Sequence, residues 1–277
     1  MCECDGETES CRRVKYLHSL VSMSIPIKEF LEFPVAANGS FSASSISLGG
    51  AGPGFEALLP ATDCVVIHAE DDRKDLKHTA LKAFIGNTSG SISELTDGKL
   101  LALSMPPGPE NAIALLTALC TGSVAPIDWN STEEEAEVIL RALEADKVLT
   151  RRDNVNLIKA ASALSVGVIF VEQDTTTVGL FTLDTNNCVR NDSSENQHDG
   201  VALILHTSGT SGNKKQVYHT AESLLVGTAC IIKSWGLTPS DCNLNMMPLF
   251  HVGGICRGVL APILSGGSIT LTLPTNP

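Results

Sequence analysis

Leu100-Leu101-Ala102-Leu103, a turn over Pro106–Pro109, the apolar run from Asn111 to Cys120, Gly122, then Val124-Ala125-Pro126-Ile127: this stretch decides the fold class. The two short apolar runs read as buried strands. The segment between them is apolar nearly all round, and a helix without a polar face must be covered on most sides. It therefore belongs inside a layered domain. Outward from it the same alternation recurs. Upstream, Cys64-Val65-Val66-Ile67 reads as a strand, and Leu76, Ala80, Leu81 and Phe84 recur at helical spacing. Downstream, Ser131 with Glu134 forms a capping-box pattern before Ala136, Ile139, Leu140 and Leu143. Lys147-Val148-Leu149 is the next strand, Leu157, Ile158, Ala161 and Leu164 the next helical face, and Val166 to Val171 the strand after it. Strand and helix in alternation imply parallel pairing with helices on the sheet faces. The fold class is α/β.

Two stretches break the rhythm. Asp174 to Gly200 is rich in Thr, Asn, Asp and Ser, and reads as a hairpin and an exposed connection between two halves. Residues 1–60 are the least regular part: Leu17 to Leu31 suggests a short helix, and Ala36 to Gly54 a Gly/Ser-rich loop or tether. The expected organisation is a leader over 1–60 and a folded unit over 61–277.

With 31 acidic against 19 basic residues and a net charge of −12, the chain is a poor general nucleic-acid binder. A few well-placed donors still suffice for a nucleotide's phosphates. Nine cysteines do not fall into paired zinc spacing, and Cys2, Cys4 and Cys11 lie in an acidic leader unlike a secretory signal. Cys64, Cys120 and Cys230 stand singly in apolar surroundings, the pattern of buried, reduced thiols. No apolar run reaches the ~20 residues of a membrane span. A cytoplasmic protein is the expectation.

Val201-Ala202-Leu203-Ile204-Leu205 is an uninterrupted apolar strand that delivers the chain into His206-Thr207-Ser208-Gly209-Thr210-Ser211-Gly212-Asn213-Lys214-Lys215-Gln216. Glycines let the backbone turn its N–H groups toward one point, hydroxyls add donors, and lysine adds charge, which together suit a polyphosphate. A surface loop of the same composition is the plain alternative. The Walker A pattern does not fit, because only two residues separate Gly209 from Gly212 and no Ser or Thr follows Lys215.

The loop closely resembles the T-S-G-[ST]-T-G-x-P-K-G signature of the adenylate-forming superfamily, which includes acyl-CoA synthetases. Thr207, Ser208, Gly209, Thr210, Gly212 and Lys215 match, Ser211 stands for threonine, Lys214 replaces the proline and Gln216 the last glycine. Two further segments are similar to that family: Pro106 to Ile127, and Asn245-Met246-Met247-Pro248-Leu249-Phe250-His251-Val252-Gly253-Gly254, which resembles its P-L-F-H-x-x-G segment.

The resemblance implies an incomplete N-terminal domain of that fold, with layered sheets and helices on their faces, in 61–277. It implies an acid-thiol ligase that uses ATP and Mg2+ to join a carboxylic acid to AMP and passes the acyl group to coenzyme A. Thr207, Ser208, Gly209, Thr210, Ser211, Gly212 and Lys215 would hold the β- and γ-phosphates, with Thr210 or Ser211 near the magnesium. Phe250, His251 and Gly253 would line the acyl pocket. The H-V-G-G wording favours acyl-CoA ligases, those acting on fatty acids or on short diacids among them, over peptide synthetases. The family's Y-G-x-T-E segment, ribose aspartate and C-terminal lysine domain have no counterpart in the sequence, so a fragment is expected and no catalytic residue is assigned. A non-catalytic remnant that binds nucleotide or a partner protein is the alternative, favoured by Lys214 and Gln216.

Overall fold

The computed structural model describes residues 33–35, 39–41, 55–97, 99–185, 198, 200–207 and 215–271. A short antiparallel ladder pairs β1 (Phe33–Val35) with β2 (Gly39–Phe41). The second strand lies in the stretch expected to be loop. Backbone pairing needs no side-chain pattern, so Gly and Ser can supply it. The helix expected over Leu17–Leu31 lies outside the described residues.

After a short 3-10 turn at Phe55–Leu58, β3 (Val65–Ile67) pairs antiparallel with β4 (Leu76–Lys77). Helix α1 (His78–Thr96) follows. Leu76 therefore opens a two-residue strand rather than the helix. It and Leu81 are both fully buried, and that is the spacing the sequence registered. Next come β5 (Leu101–Ser104), α2 (Pro109–Leu119), β6 (Val124–Pro126) and α3 (Glu133–Leu143). Then β7 (Lys147–Thr150), α4 (Val155–Ala163), β8 (Gly167–Gln173) and β9 (Phe181–Asp184) follow. The last elements are β10 (Leu203–Thr207), β11 (Lys215–His219), α5 (Ala221–Trp235) and β12 (Cys242–Asn245). A helical run leads into β13 (Ser268–Leu271): one α turn at Val252–Ile255, a π-helix at Cys256–Leu260 and an α turn at Ala261–Leu264.

The strands form a seven-stranded sheet in the order β11-β10-β6-β5-β7-β8-β9 and a four-stranded sheet in the order β12-β13-β3-β4. In the larger sheet the five central strands are parallel, and β11 and β9 are antiparallel edges. Side chains alternate between faces along each strand. On one face Leu100, Ala102, Ala125, Val148 and Ile204 pack on Ala136, Ile139, Leu140 and Leu143 of α3 and Leu157, Ala160 and Ala161 of α4. On the other, Leu101, Leu103, Leu203 and Leu205 join Ile67, Ile269 and Leu271 of the smaller sheet in one core. Helix α2 belongs to that second core, with every residue from Ala112 to Leu119 buried. This explains its lack of a polar face: each Leu or Ile so covered contributes about 1.5–3 kcal/mol. The same core takes in Phe55, Leu58 and Leu59, upstream of the expected boundary at residue 60.

Two local expectations are corrected. The capping box of α3 is Thr132 with Glu135, not Ser131 with Glu134. Glu135 N donates to Thr132 Oγ1, and Thr132 N to Glu135 Oε2, both at 3.2 Å. Consecutive hydroxyls followed by Glu133, Glu134 and Glu135 satisfy the pattern in two registers, and packing selects one. Cys64 is exposed, while Cys120 and Cys230 are half-buried; all described cysteines are free thiols. Cys64 stands one residue ahead of β3, outside the covered part of the strand. Burial pushes the Cys120 thiol up to about 12, so it stays protonated. The hairpin expected after Asp174 is β8–β9. Asp174 Oδ1 caps its turn by accepting from the Thr176 hydroxyl at 2.6 Å and from the N–H groups of Thr177 and Thr176. The Thr176 hydroxyl and then those N–H bonds hold the Asp174 carboxyl below its usual range. No helix among the described residues is long and apolar enough to cross a membrane.

Candidate functional site

Parallel strands present the carboxyl ends of β5, β6 and β10 at one edge of the larger sheet. In open α/β sheets such an edge is where ligand crevices form. Two adjoining clefts lie there. One, of about 140 Å3, is lined by Pro126, Ile127, Asp128, Ile139, His206, Thr207, Phe250 and His251. The other, of about 60 Å3, shares Pro126, Ile127, Asp128 and Phe250 and continues past Met105, Asn111, Met246, Met247 and Pro248. The base of the Gly/Ser/Thr loop and the Phe250-His251 pair, far apart in sequence, thus face one another across a single crevice.

The loop hangs from the β10–β11 hairpin, where Thr207 pairs with Lys215 and the Thr207 hydroxyl points to Lys215 O at 3.5 Å. Its two ends are therefore held at ladder spacing. Ser208, Gly209, Thr210, Ser211 and Gly212 lie outside the described residues. Gln216, which replaces the family's glycine, puts its side chain to use. Its Nε2 donates to Ala142 O at 2.9 Å, and Tyr218 Oη bonds to its Oε1. The loop exit is thereby tied to the end of α3.

Phe250 is half-buried, and its ring centroid lies 4.6 Å from that of the exposed His251. Two features hold this turn. At Gly254 an added Cβ would sit 2.2 Å from Pro248 O, so only glycine lets the helical run approach the turn so closely. Asn245, 5% exposed at the end of β12, accepts from Met247 N at 2.9 Å on Oδ1 and reaches Gly254 O at 3.5 Å with Nδ2. Asn243 Nδ2 donates to Gly258 O at 3.1 Å inside the π-helix. A π-helix displaces the usual i→i+4 carbonyl pairing, and these two asparagines serve the carbonyls on that side. Gly253, expected in the acyl pocket, lies beneath Met247 and the Arg257 guanidinium, with Met247 at the rim of the smaller cleft. Sequence reading missed Asn245, Asp128 and Met247. Asn245 had a signal, an amide closing a strand just before the P-L-F-H segment.

Glu110 anchors the start of α2 below the crevice. It receives Arg73 Nη1 at 2.5 Å and Gly179 N at 3.1 Å, and both partners of the ion pair are largely buried. Asn111 Nδ2 donates to Met105 O at 3.3 Å at the lip of the smaller cleft. No group of three or more His, Cys, Asp or Glu suited to a metal occurs among the described residues.

The crevice, the loop base and the aromatic-histidine turn together define an α/β fold with a cleft at the carboxyl edge of its larger sheet. The AMP-binding enzyme family model matches residues 66–277, and the chain belongs to that family. Oxalate–CoA ligase of Arabidopsis thaliana is 29% identical over 205 residues, covering 71% of this chain and 40% of that protein. A CoA ligase of Gibberella moniliformis is 28% identical over 193 residues, covering 68% and 31%. Among solved structures, apo MatB from Rhodopseudomonas palustris aligns with a TM-score of 0.62 at 16% identity, over 77% of this chain and 43% of that one. That likeness confirms the fold. The chain spans less than half the length of these relatives.

Proposed function

We propose that the chain contributes the phosphate-binding and acyl-facing parts of an ATP-dependent acid–thiol ligase. The observation that carries this reading is the crevice shared by Thr207 and the Phe250-His251 pair. In the reaction, a carboxylate oxygen attacks the α-phosphate of ATP and forms an acyl adenylate as the bond to pyrophosphate breaks. A thiol, that of coenzyme A, then attacks the acyl carbonyl and releases AMP.

In this reading the Thr207–Lys215 loop, with Ser208, Gly209, Thr210, Ser211 and Gly212 between its ends, grips the β- and γ-phosphates. It holds the leaving group in line and spreads its charge. Phe250 supplies an apolar wall beside the acid, and His251 lines the place where the acid and the phosphates meet, with neither acting as acid or base. Magnesium would bind through phosphate oxygens and loop hydroxyls at Thr210 or Ser211, which suits an ion that takes oxygen ligands and few carboxylates. The acid is a small one, by analogy with relatives named for oxalate, malonate and sulfoacetate. The second reading is a non-catalytic remnant that binds nucleotide or a partner protein; of the two substitutions that favour it, Gln216 ties the loop exit to α3 and so supports a held loop.

The test is calorimetric titration of ATP into the wild-type chain and Lys215→Ala, with pyrophosphate exchange over a panel of carboxylic acids. Affinity should fall about tenfold or more on loss of one charge-assisted phosphate contact. Equal ATP affinity in both proteins would remove the loop from the site.

A further inference from the structure

Arg257 stands apart from the other described arginines. Arg73, Arg141, Arg151 and Arg152 each sit in an ion pair with a carboxylate. Arg257 is exposed, and its Nη2 rests 3.2 Å from the Met247 sulfur. A thioether is a weak acceptor and satisfies little of a five-donor guanidinium. In a chain with 31 acidic and 19 basic residues, a cation matched with sulfur rather than carboxylate is out of keeping with its surroundings.

Its place is defined by two contacts. Met247 lines the smaller cleft together with Phe250. Gly253, one helical turn before Arg257, leaves the space the guanidinium crosses: an added Cβ would lie 2.9 Å from Nη2 and 3.2 Å from Met247 Cε. The planar fork is thus laid over a residue without a side chain and comes to rest on the methionine at the cleft's rim.

We propose that Arg257 is a specificity-determining residue that receives a second anionic group on the acid, a carboxylate or sulfonate distal to the one being activated. This rests on the acid-activating reading above and goes further by naming the substrate class. The reacting carboxylate lies toward Thr207 and His251, and the distal group extends past Phe250 to the rim. There a guanidinium can offer two parallel N–H donors to a planar or tripodal anion. An acid with an apolar tail meets the same guanidinium without a partner and gains nothing from it.

The experiment measures binding of malonate and of propionate to the full chain by calorimetry, in the presence of ATP, for wild type, Arg257→Leu and Arg257→Lys. Wild type should prefer malonate by about tenfold or more, or ~1.4 kcal/mol. The ratio should fall to about one in Arg257→Leu and be partly kept in Arg257→Lys, where charge survives but the fork is lost. A malonate/propionate ratio in Arg257→Leu equal to that of wild type overturns the proposal. Equal weakening of both acids gives that same ratio and would mean that Arg257 only steadies Met247. ATP uptake on the same samples separates the two levels. ATP binding that needs Lys215, without any preference for malonate, sinks the Arg257 assignment alone. No binding of ATP or of either acid sinks the parent reading with it.

Discussion

Replacing Gly254 by alanine adds one methyl group where the helical run meets the Pro248–His251 turn. The new Cβ would lie 2.2 Å from Pro248 O, 3.0 Å from Pro248 C and 3.1 Å from Met247 O. All three are backbone atoms, so no rotamer change relieves the contact. Restoring ordinary separation requires a shift of about 1 Å, and overpacking of this kind costs about 1–3 kcal/mol. The movement has two directions available, and both are harmful. If the helix retreats, the packing of Ile255, Val259 and Leu260 in the core loosens. If the turn retreats, Phe250 and His251 leave the crevice by more than the ~0.5 Å that a positioned site tolerates. Thermal unfolding of Gly254→Ala should therefore drop by roughly 2–4 °C per kcal/mol lost. Ligand binding in the crevice should weaken further than that of other variants of equal stability. Gly227→Ala is the control: it lies in α5, and its Cβ would meet nothing within 4 Å. That substitution should be neutral or stabilise by about 0.5–1 kcal/mol through the helix backbone. Should both alanine variants melt together at or above wild type, the close approach at Gly254 is not the constraint described here.

Asn245→Ala should cost about 1–3 kcal/mol, because the Met247 N–H and the Gly254 carbonyl lose a buried partner; urea unfolding measures it, and a cost near zero would show that water replaces the amide. Glu110→Gln should cost about 1–3 kcal/mol by leaving Arg73 without its main counter-charge. A double-mutant cycle with Arg73→Met isolates that coupling, and additive effects would refute it. His78 is buried, with Nε2 2.9 Å from Gly267 O, and desolvation lowers its pKa below the ordinary 6.5. A depressed histidine pKa means the unfolded chain takes up the proton first. Stability is then complete above about 6.5 and declines as pH falls from there through the folded-state value. Unfolding followed between pH 7.5 and 5 should show this decline in wild type and a flatter profile in His78→Gln, and identical slopes would exclude His78 as its source.

The alternation of apolar strands with helical faces was legible because burial period differs between the two structures, and Leu100–Ile127 carries that contrast in a single unbroken stretch. The T-S-G-T-S-G segment was recognisable because its glycines and donors stand close together in the chain, and its ends, Thr207 and Lys215, pair in the β10–β11 ladder. Phe250 and His251 were found by resemblance, not by any local physical signal. Leu76, the register of the capping box and the exposure of Cys64 were misread because each has two locally equivalent solutions. Only neighbours distant in sequence choose between them.

What the amino-acid string determined alone was therefore local: which segments are strands and helices, and that α2 must lie in the interior. Tertiary structure decided which of these meet. It set Thr207 opposite Phe250 and His251, placed Asn245 and Gly254 beneath their turn, and left Arg257 against Met247 with no carboxylate partner among the described residues. The physical reason is that periodicity and propensity act over a few residues, whereas a crevice is made by strand order, and strand order arises only when whole faces compete for the same core.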